Sequence, residues 1–368
     1  MTLSRSMRFV LILVFLAGLM PSWSLANDLP SRWTVIPLDA GDTPTGITLD
    51  PATLTPKVYG RRGGTLGFLY PTVELFEPLS GPQGSAEANA AGCGVLVGWS
   101  SAGAFGFQTH AVLVDPAAPP DQRVQDLGTL GDPEWFSSAE GLTCDTTGTI
   151  TVVGYGDMLV GGLLVSMPVK WVGTLVNQTW VGTISVLPGL PGSVATGQAR
   201  AINDAGVITG ILANQCVVWP VSGGLTDCHP SGAAFSVGVD INNLGEVAVQ
   251  SPFAGYVWSA ATGAVPQPPL PGHDAVGVAR LTDEGIVVGY SGIIPPCACP
   301  LEDVRAVLWQ DNIGRDLNNS IAASGIVLQP ALGITDTNVI LALGTQDGVA
   351  TPLLLVPDVP EREQRHGR

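Results

Sequence analysis

Charge is scarce in this chain of 368 residues. Asp, Glu, Lys and Arg together make up 12%, and Lys57 and Lys170 are its two lysines. The imbalance is acidic, with 15 basic against 31 acidic residues and a net charge of −16. Such a field repels phosphate backbones and argues against nucleic acid as the main partner. Histidine is also rare: His110, His229, His273 and His366 are the four present, and none forms a spaced His-x-x-x-His pair. Metal-assisted catalysis through histidines is therefore not expected. A Gly-x-Ser-x-Gly elbow and a Gly-Lys-Ser or Gly-Lys-Thr phosphate loop are both missing. Neither a nucleophile on that turn nor a nucleotide site is predicted, and no cofactor is expected.

What is abundant points to β structure. There are 47 glycines and 30 prolines alongside 45% hydrophobic residues, too apolar for disorder and without the strict glycine period of collagen. The length exceeds what one simple core fills, so two domains or one large repeat architecture is expected. A turn-rich all-β protein fits best.

Residues 1–26 read as a signal peptide: a basic start at Arg5 and Arg8, an apolar run from Phe9 to Met20, a break at Pro21, then Ser24 and Ala26 before a cut that leaves Asn27 first. The apolar run is shorter than the roughly 20 residues a membrane span requires. The expected product is exported, soluble and periplasmic or extracellular, with no membrane insertion of the mature chain. Its six cysteines then meet an oxidising compartment. Cys216 and Cys228 fall at corresponding places on two adjacent antiparallel strands and form the best local pair for a disulfide. Cys93 and Cys144, in equivalent turns of neighbouring repeats, are a second candidate pair. Cys297-Ala298-Cys299 has the look of half a metal site, but no second pair with a histidine stands nearby.

A period runs through the chain. A strand with a small residue or proline three places before a large closing residue recurs as Gly67…Tyr70, Ala111…Val114, Pro168…Trp171, Cys216…Trp219, Gly255…Trp258, Ala306…Trp309 and Pro352…Leu355. The closing positions are 44, 57, 48, 39, 51 and 46 residues apart. Before it comes an apolar-polar pair, a tight turn and a β-rich run often ending in glycine. Ile202-Asn203-Asp204-Ala205-Gly206 through Gly210, Ile241-Asn242 through Val249, and Leu281-Thr282 through Gly289 are the clearest copies. Weaker ones begin at Ile47, Leu142 and Ile334, with a divergent one around Asn89 to Gly98. Asn and Asp bond their own backbone and Gly accepts positive φ, so these are hairpins. A fourth segment rich in Leu, Pro and Gly follows, as in Asp126 to Gly131, Val186 to Gly192 and Pro268 to Gly272.

Four strands in about 47 residues make one blade of a propeller. The prediction is a seven-bladed β-propeller over residues 27–357 with a polar tail at 358–368, monomeric. The seventh unit has strands near Ala331 to Thr335, Val339 to Gly344 and Ala350 to Val356 but lacks a fourth, and the orphan strand Trp33 to Leu38 is expected to close the ring. Ser291 to Asp303 and Val172 to Val181 read as long loops, where binding tends to reside.

His110-Ala111-Val112-Leu113 followed by Asp126-Leu127-Gly128-Thr129-Leu130-Gly131, with the Ile-Asn-x-x-Gly unit, resembles the bacterial extracellular HAF-repeat family. The similarity spans nearly all of residues 33–357, although the histidine survives in one copy of seven. The resemblance implies an exported repeat protein with a propeller-like fold, no established activity and no catalytic residue.

Candidate binding residues come from the innermost strands, which line a propeller's channel. The residue before each apolar-polar pair is mostly small, as in Gly46, Gly141, Ala201 and Gly333, but Asp240 and Arg280 replace it, and Glu140 and Arg200 sit one place earlier. These four can converge at one channel mouth and hold a polar ligand, or pair with one another between blades. The turn residues Asp145, Asp204, Asp283 and Asp336 suit calcium less well than their own backbones. Trp171, Trp219, Trp258 and Trp309 share one strand position and are expected between blades, whereas Trp99, Trp135 and Trp180 fall outside that register and are candidates for exposure. The function expected is noncatalytic binding of an unidentified protein or glycan, or a structural role. The alternative is an exported hydrolase or lyase using Glu140, Asp240 and Glu134 at the channel mouth.

Overall fold

A computed structural model describes residues 30–103, 108–189, 196–297 and 300–358. The segment 1–26 read as a signal peptide, Cys299 and the tail beyond Asp358 lie outside the described residues. The fold is a seven-bladed β-propeller of four-stranded antiparallel sheets, without an α-helix among the described residues. The chain enters through β1 (Trp33–Pro37). Blade I holds β2 (Asp42–Leu49), β3 (Pro56–Arg62), β4 (Thr65–Tyr70) and β5 (Glu74–Phe76). Blade II holds β6 (Ala86–Gly92), β7 (Val95–Ala102), β8 (Gln108–Val114) and β9 (Val124–Asp126). Blade III holds β10 (Ser137–Cys144), β11 (Ile150–Val160), β12 (Leu163–Val176) and β13 (Thr179–Val186). Blade IV holds β14 (Gly197–Ile202), β15 (Ile208–Leu212), β16 (Gln215–Trp219) and β17 (Thr226–Asp227). Blade V holds β18 (Val237–Ile241), β19 (Val247–Gln250), β20 (Gly255–Ser259) and β21 (Gly263–Pro266). Blade VI holds β22 (Ala275–Leu281), β23 (Val287–Ile293), β24 (Glu302–Gln310) and β25 (Ile313–Asp316). Blade VII holds β26 (Ile326–Ile334), β27 (Ile340–Gln346) and β28 (Val349–Pro357), and its fourth strand is β1.

The N-terminal strand closes the ring as expected. Trp33 pairs with Pro357 and Pro37 with Leu353. Trp33 is buried at 3% exposure, and its indole Nε1 donates to the Asn338 carbonyl at 3.2 Å. The last sheet thereby gains the fourth strand that each of the other blades has.

The core lies between blades rather than within them. One cluster packs Val95 and Val97 of blade II against Ala139, Val152 and Trp171 of blade III, and another sets Ala248 of blade V against Val278, Val307 and Trp309 of blade VI. The recurrent tryptophans fill these wedges as expected. Trp219 and Trp309 also donate Nε1 to the Pro188 and Pro268 carbonyls, each at 2.8 Å, tying a blade to the linker that enters it. In blade III the equivalent linker residue is Gly128. Its carbonyl accepts from Ser137 instead, and the Trp171 Nε1 is buried without a partner. Trp99, Trp135 and Trp180 are half-buried rather than exposed.

The Asn of each Ile-Asn pair closes its own turn and reaches the next blade. Asn203 and Asn242 accept from Val207 and Glu246 N–H through Oδ1, while Nδ2 donates to the Asn242 and Thr282 carbonyls respectively. Cys216 and Cys228 form the expected disulfide, at the point where the Cys228 N–H meets the Cys216 carbonyl. Cys93 and Cys144 form a second, which staples blade II to blade III. Cys297 is disulfide-bonded as well, so the metal half-site reading fails at that sulfur.

Two expectations need correction. Val172 to Val181 is not a loop. It is the end of β12, a two-residue turn at Asn177 and Gln178 with φ of 50° and 65°, and the start of β13. The Asn-Gln turn resembles a loop in composition but has the left-handed geometry that continues a hairpin. The Leu-Pro-Gly segments, read as fourth strands, follow the short fourth strands and lead to the next blade; β21, for example, ends at Pro266, before Pro268 to Gly272.

Candidate functional site

Every innermost strand carries the same irregularity. The register slips by one residue at Thr45, Asn89, Glu140, Arg200, Val239 and Ala279, and between Ala331 and Gly333 at Leu332. This is a β-bulge, in which two residues of one strand face one of its partner. Its cause is legible in the second strand. Opposite the bulge stand Gly60, Gly98, Gly154, Gly210 and Gly289, where an added Cβ would collide with a carbonyl of the bulged strand, as Gly210 would with that of Gln198. The run "often ending in glycine" is thus the notch that admits the bulge. In blade V the second strand has Val249 there, and the glycine is Gly238 on the first strand.

The bulge sets two successive residues of the first strand against one of the second, and the four predicted residues fall at those two adjacent positions. Glu140 and Arg200 occupy the bulge itself; Asp240 and Arg280 follow it. Blades I to IV contribute Thr45, Asn89, Glu140 and Arg200, a polar arc, and blades V to VII contribute Val239, Ala279 and Leu332. Thr45, Asn89, Glu140, Arg200, Val237, Val239 and Arg280 line one cavity of 380 Å³. Asp240 is not part of that lining.

Glu140 and Arg200 form an ion pair, whereas Asp240 and Arg280 bond to backbone groups and act on each other through charge alone. Arg200 Nη1 lies 3.1 Å from Glu140 Oε2, joining blades III and IV. Glu140 Oε1 also accepts from Ser138 Oγ at 2.8 Å and Asn89 Nδ2 at 3.3 Å. Asp240 Oδ2 accepts from the Leu281 N–H at 3.0 Å, and Arg280 donates to the Val239 carbonyl at 3.2 Å. Burial pushes the Asp240 carboxyl up from the usual range, against the pull of the Arg280 charge. Arg280 also hydrogen-bonds Tyr59, whose ring lies over Gly46 and whose hydroxyl is pushed up by burial. That ring explains why Gly46 is small. Sequence reasoning missed Thr45, Asn89 and Tyr59; the constant spacing of the bulge position from the apolar-polar pair was the signal for the first two.

Which end of the channel is open follows from strand direction. In an up-and-down blade the start of the first strand, the β15–β16-type turn and the linker to the next blade share one face. Val237 opens β18, so the cavity lies toward that linker face. Glu134 is exposed in the β9–β10 linker and does not line the cavity. The acidic turns lie on the opposite face and serve the backbone or a neighbour: Asp145 Oδ1 accepts from the Thr147 and Thr149 N–H groups, and Asp204 and Asp283 accept from Asn243. Of the two extended segments, the one at Ser291 to Asp303 borders a separate cavity that Asp303 lines with His273 and Arg305.

His110 of the His-Ala strand has a structural explanation. Its Nδ1 is 2.7 Å from Asp126 Oδ2 and its Nε2 2.8 Å from the Pro133 carbonyl, so it joins the third strand, the fourth strand and the linker of one repeat.

No protein-family model and no curated protein matches this chain. Among solved structures it is similar to virginiamycin B lyase from Staphylococcus aureus, at 13% identity and a TM-score of 0.51 over 88% of this chain and 99% of that one. It is more distantly similar to YjhT (15% identity, TM-score 0.36, 74% of this chain and 94% of that one) and to Trypanosoma rangeli sialidase (11% identity, TM-score 0.38, 84% and 59%). At these identities the first likeness bears on the fold alone.

Proposed function

We propose that this chain is an exported, noncatalytic binding module whose ligand seats at the linker-face mouth of the central channel. The observation that supports this is the polar arc Thr45, Asn89, Glu140 and Arg200, four bulge residues from four consecutive blades on one cavity. A rigid ring that presents hydrogen-bonding side chains at a concave opening is a preformed binding site. Its carboxylates are already committed: both Glu140 oxygens have partners, and Asp240 faces a backbone N–H and a guanidinium. An acid and a base free to reach one bond are not presented there. Arg200, the more exposed member of its pair, is assigned to the ligand, and Arg280 to the ring.

Export is supported by the leader pattern and by two described disulfides. Among the described residues no helix is long and apolar enough to cross a membrane. Membership of the HAF-repeat family is supported by the contact between His110 and Asp126, which gives the two motif segments a shared purpose.

The competing reading, a hydrolase or lyase, draws on Asp240, whose carboxyl is shifted in the direction a general acid requires. A screen of the purified mature chain against glycans and peptides, followed for turnover and for thermal shift, separates the two. Binding without turnover, lost in Arg200→Ala at unchanged melting, is expected. Turnover abolished by Asp240→Asn would overturn the noncatalytic reading.

A further inference from the structure

The channel mouth does not end at Arg200. A second cavity of 340 Å³ shares Arg200 and Val237 with the first and continues outward over blade IV, lined by Ser166, Gln198, Ile211, Asn214 and Phe235. The two join into one groove from the ring axis toward the rim of the linker face. Each cavity alone falls in the range of about 300–1,000 Å³ that holds a small ligand. The groove gains a side wall because β11 and β12 are 11 and 14 residues long, and Ser166 lies on the stretch of β12 that leads to their Gly161-Gly162 turn.

Three features of this groove select a ligand class. Its polar side chains beyond the ion pair are amides and hydroxyls, Asn89, Gln198, Asn214, Thr45 and Ser166, which both donate and accept, as sugar hydroxyls do. Its charges cancel locally: Arg200 rests on Glu140, and Arg280 is offset by Asp240. A charged ligand therefore meets no unpaired counter-charge there. Finally, the Ser166 side chain borders the groove, with its Oγ buried and without a hydrogen-bond partner. Phe235, 37% exposed on the blade V side of the groove, offers an apolar face to sugar C–H groups.

We infer that the groove binds a neutral glycan chain, one unit over Arg200 and the next along Gln198 and Asn214. This rests on the channel-mouth reading above and names its ligand. The test uses the mature chain with disulfides intact and isothermal titration with cellotetraose, maltotetraose, chitotetraose and xylotetraose, each beside its monosaccharide. The probes on the other side are a tetragalacturonate and a mixed uncharged hexapeptide library. At least one neutral tetrasaccharide is expected to bind more tightly than its monosaccharide. Gln198→Ala with Asn214→Ala, at a half-buried and an exposed position, with folding checked by circular dichroism, should remove about tenfold of the tetrasaccharide affinity and none of the monosaccharide's. Arg200→Ala should weaken both. The glycan inference is overturned if no neutral tetrasaccharide binds at millimolar concentration, if chain length or the double substitution has no effect, or if only tetragalacturonate or peptide binds. Peptide binding lost in Arg200→Ala would keep the mouth and remove the glycan. Glycan binding indifferent to Arg200→Ala would remove the mouth itself.

Discussion

Replacing Asp126 by Asn removes the carboxylate that holds His110 in its charged form, and the consequence for stability has a definite sign. Both neighbours of the ring, Asp126 Oδ2 and the Pro133 carbonyl, are acceptors, so both nitrogens must carry protons. The hydrogen bond to Asp126 raises the His110 pKa against the opposing effect of burial. With a folded pKa above the unfolded value of about 6.5, the contribution is complete below that value and is lost as pH rises through the folded pKa. A charge-assisted hydrogen bond contributes about 1.5–3 kcal/mol, but the Asp126 side chain is 41% exposed, and solvent screening brings this to about 1 kcal/mol. Asn keeps the oxygen that caps the Gly128 N–H, so that contact is unchanged. Urea unfolding, followed by tryptophan fluorescence, would show wild type more stable than Asp126→Asn at about pH 5.5 and the two converging as pH rises through the raised His110 pKa. A difference that stays constant with pH, or grows toward high pH, would refute the imidazolium assignment.

Three further predictions concern the ring. Cys93→Ser with Cys144→Ser opens a loop of 51 residues and should cost about 4 kcal/mol in denaturant unfolding, against about 3 for the 12-residue loop of Cys216 and Cys228. An equal or reversed order would remove loop closure as the cause. Gly210→Ala places a Cβ against the Gln198 carbonyl and should destabilise by about 1–3 kcal/mol, whereas Gly148→Ala, in a turn with nothing nearby, should cost less despite its positive φ. Arg280→Ala should lower the melting temperature and leave ligand affinity intact; loss of affinity at unchanged melting would move Arg280 into the binding site.

The ring was legible because large closing residues, tryptophan in four of the seven copies, and Asn- or Asp-containing turns recur at fixed places in the repeats, and the strand Trp33 to Pro37 carried the flavour of the segment that blade VII lacked. The disulfide between Cys216 and Cys228 was legible for the same reason, as a cross-strand pair within one unit. The bulge was visible only as an unexplained offset between Glu140 and Asp240, since its cause lies in a glycine on the neighbouring strand. The outer groove was not legible at all. Ser166, Gln198, Asn214 and Phe235 belong to three blades, and the curvature of the ring, rather than any spacing along the chain, brings them together. The β12–β13 hairpin was misread because a turn formed by Asn177 and Gln178 has the composition of a loop.

Closure of the ring underlies the whole account, since it brings blade I round to the far blades and sets Arg280 of blade VI against Tyr59. Thr34 and Val356 are paired across the closing strands. Oxidation of a Thr34→Cys, Val356→Cys variant, with peptide mapping by mass spectrometry, tests this directly. A crosslink between the two chain ends is predicted, and two thiols that remain free in the folded protein would contradict the closed ring.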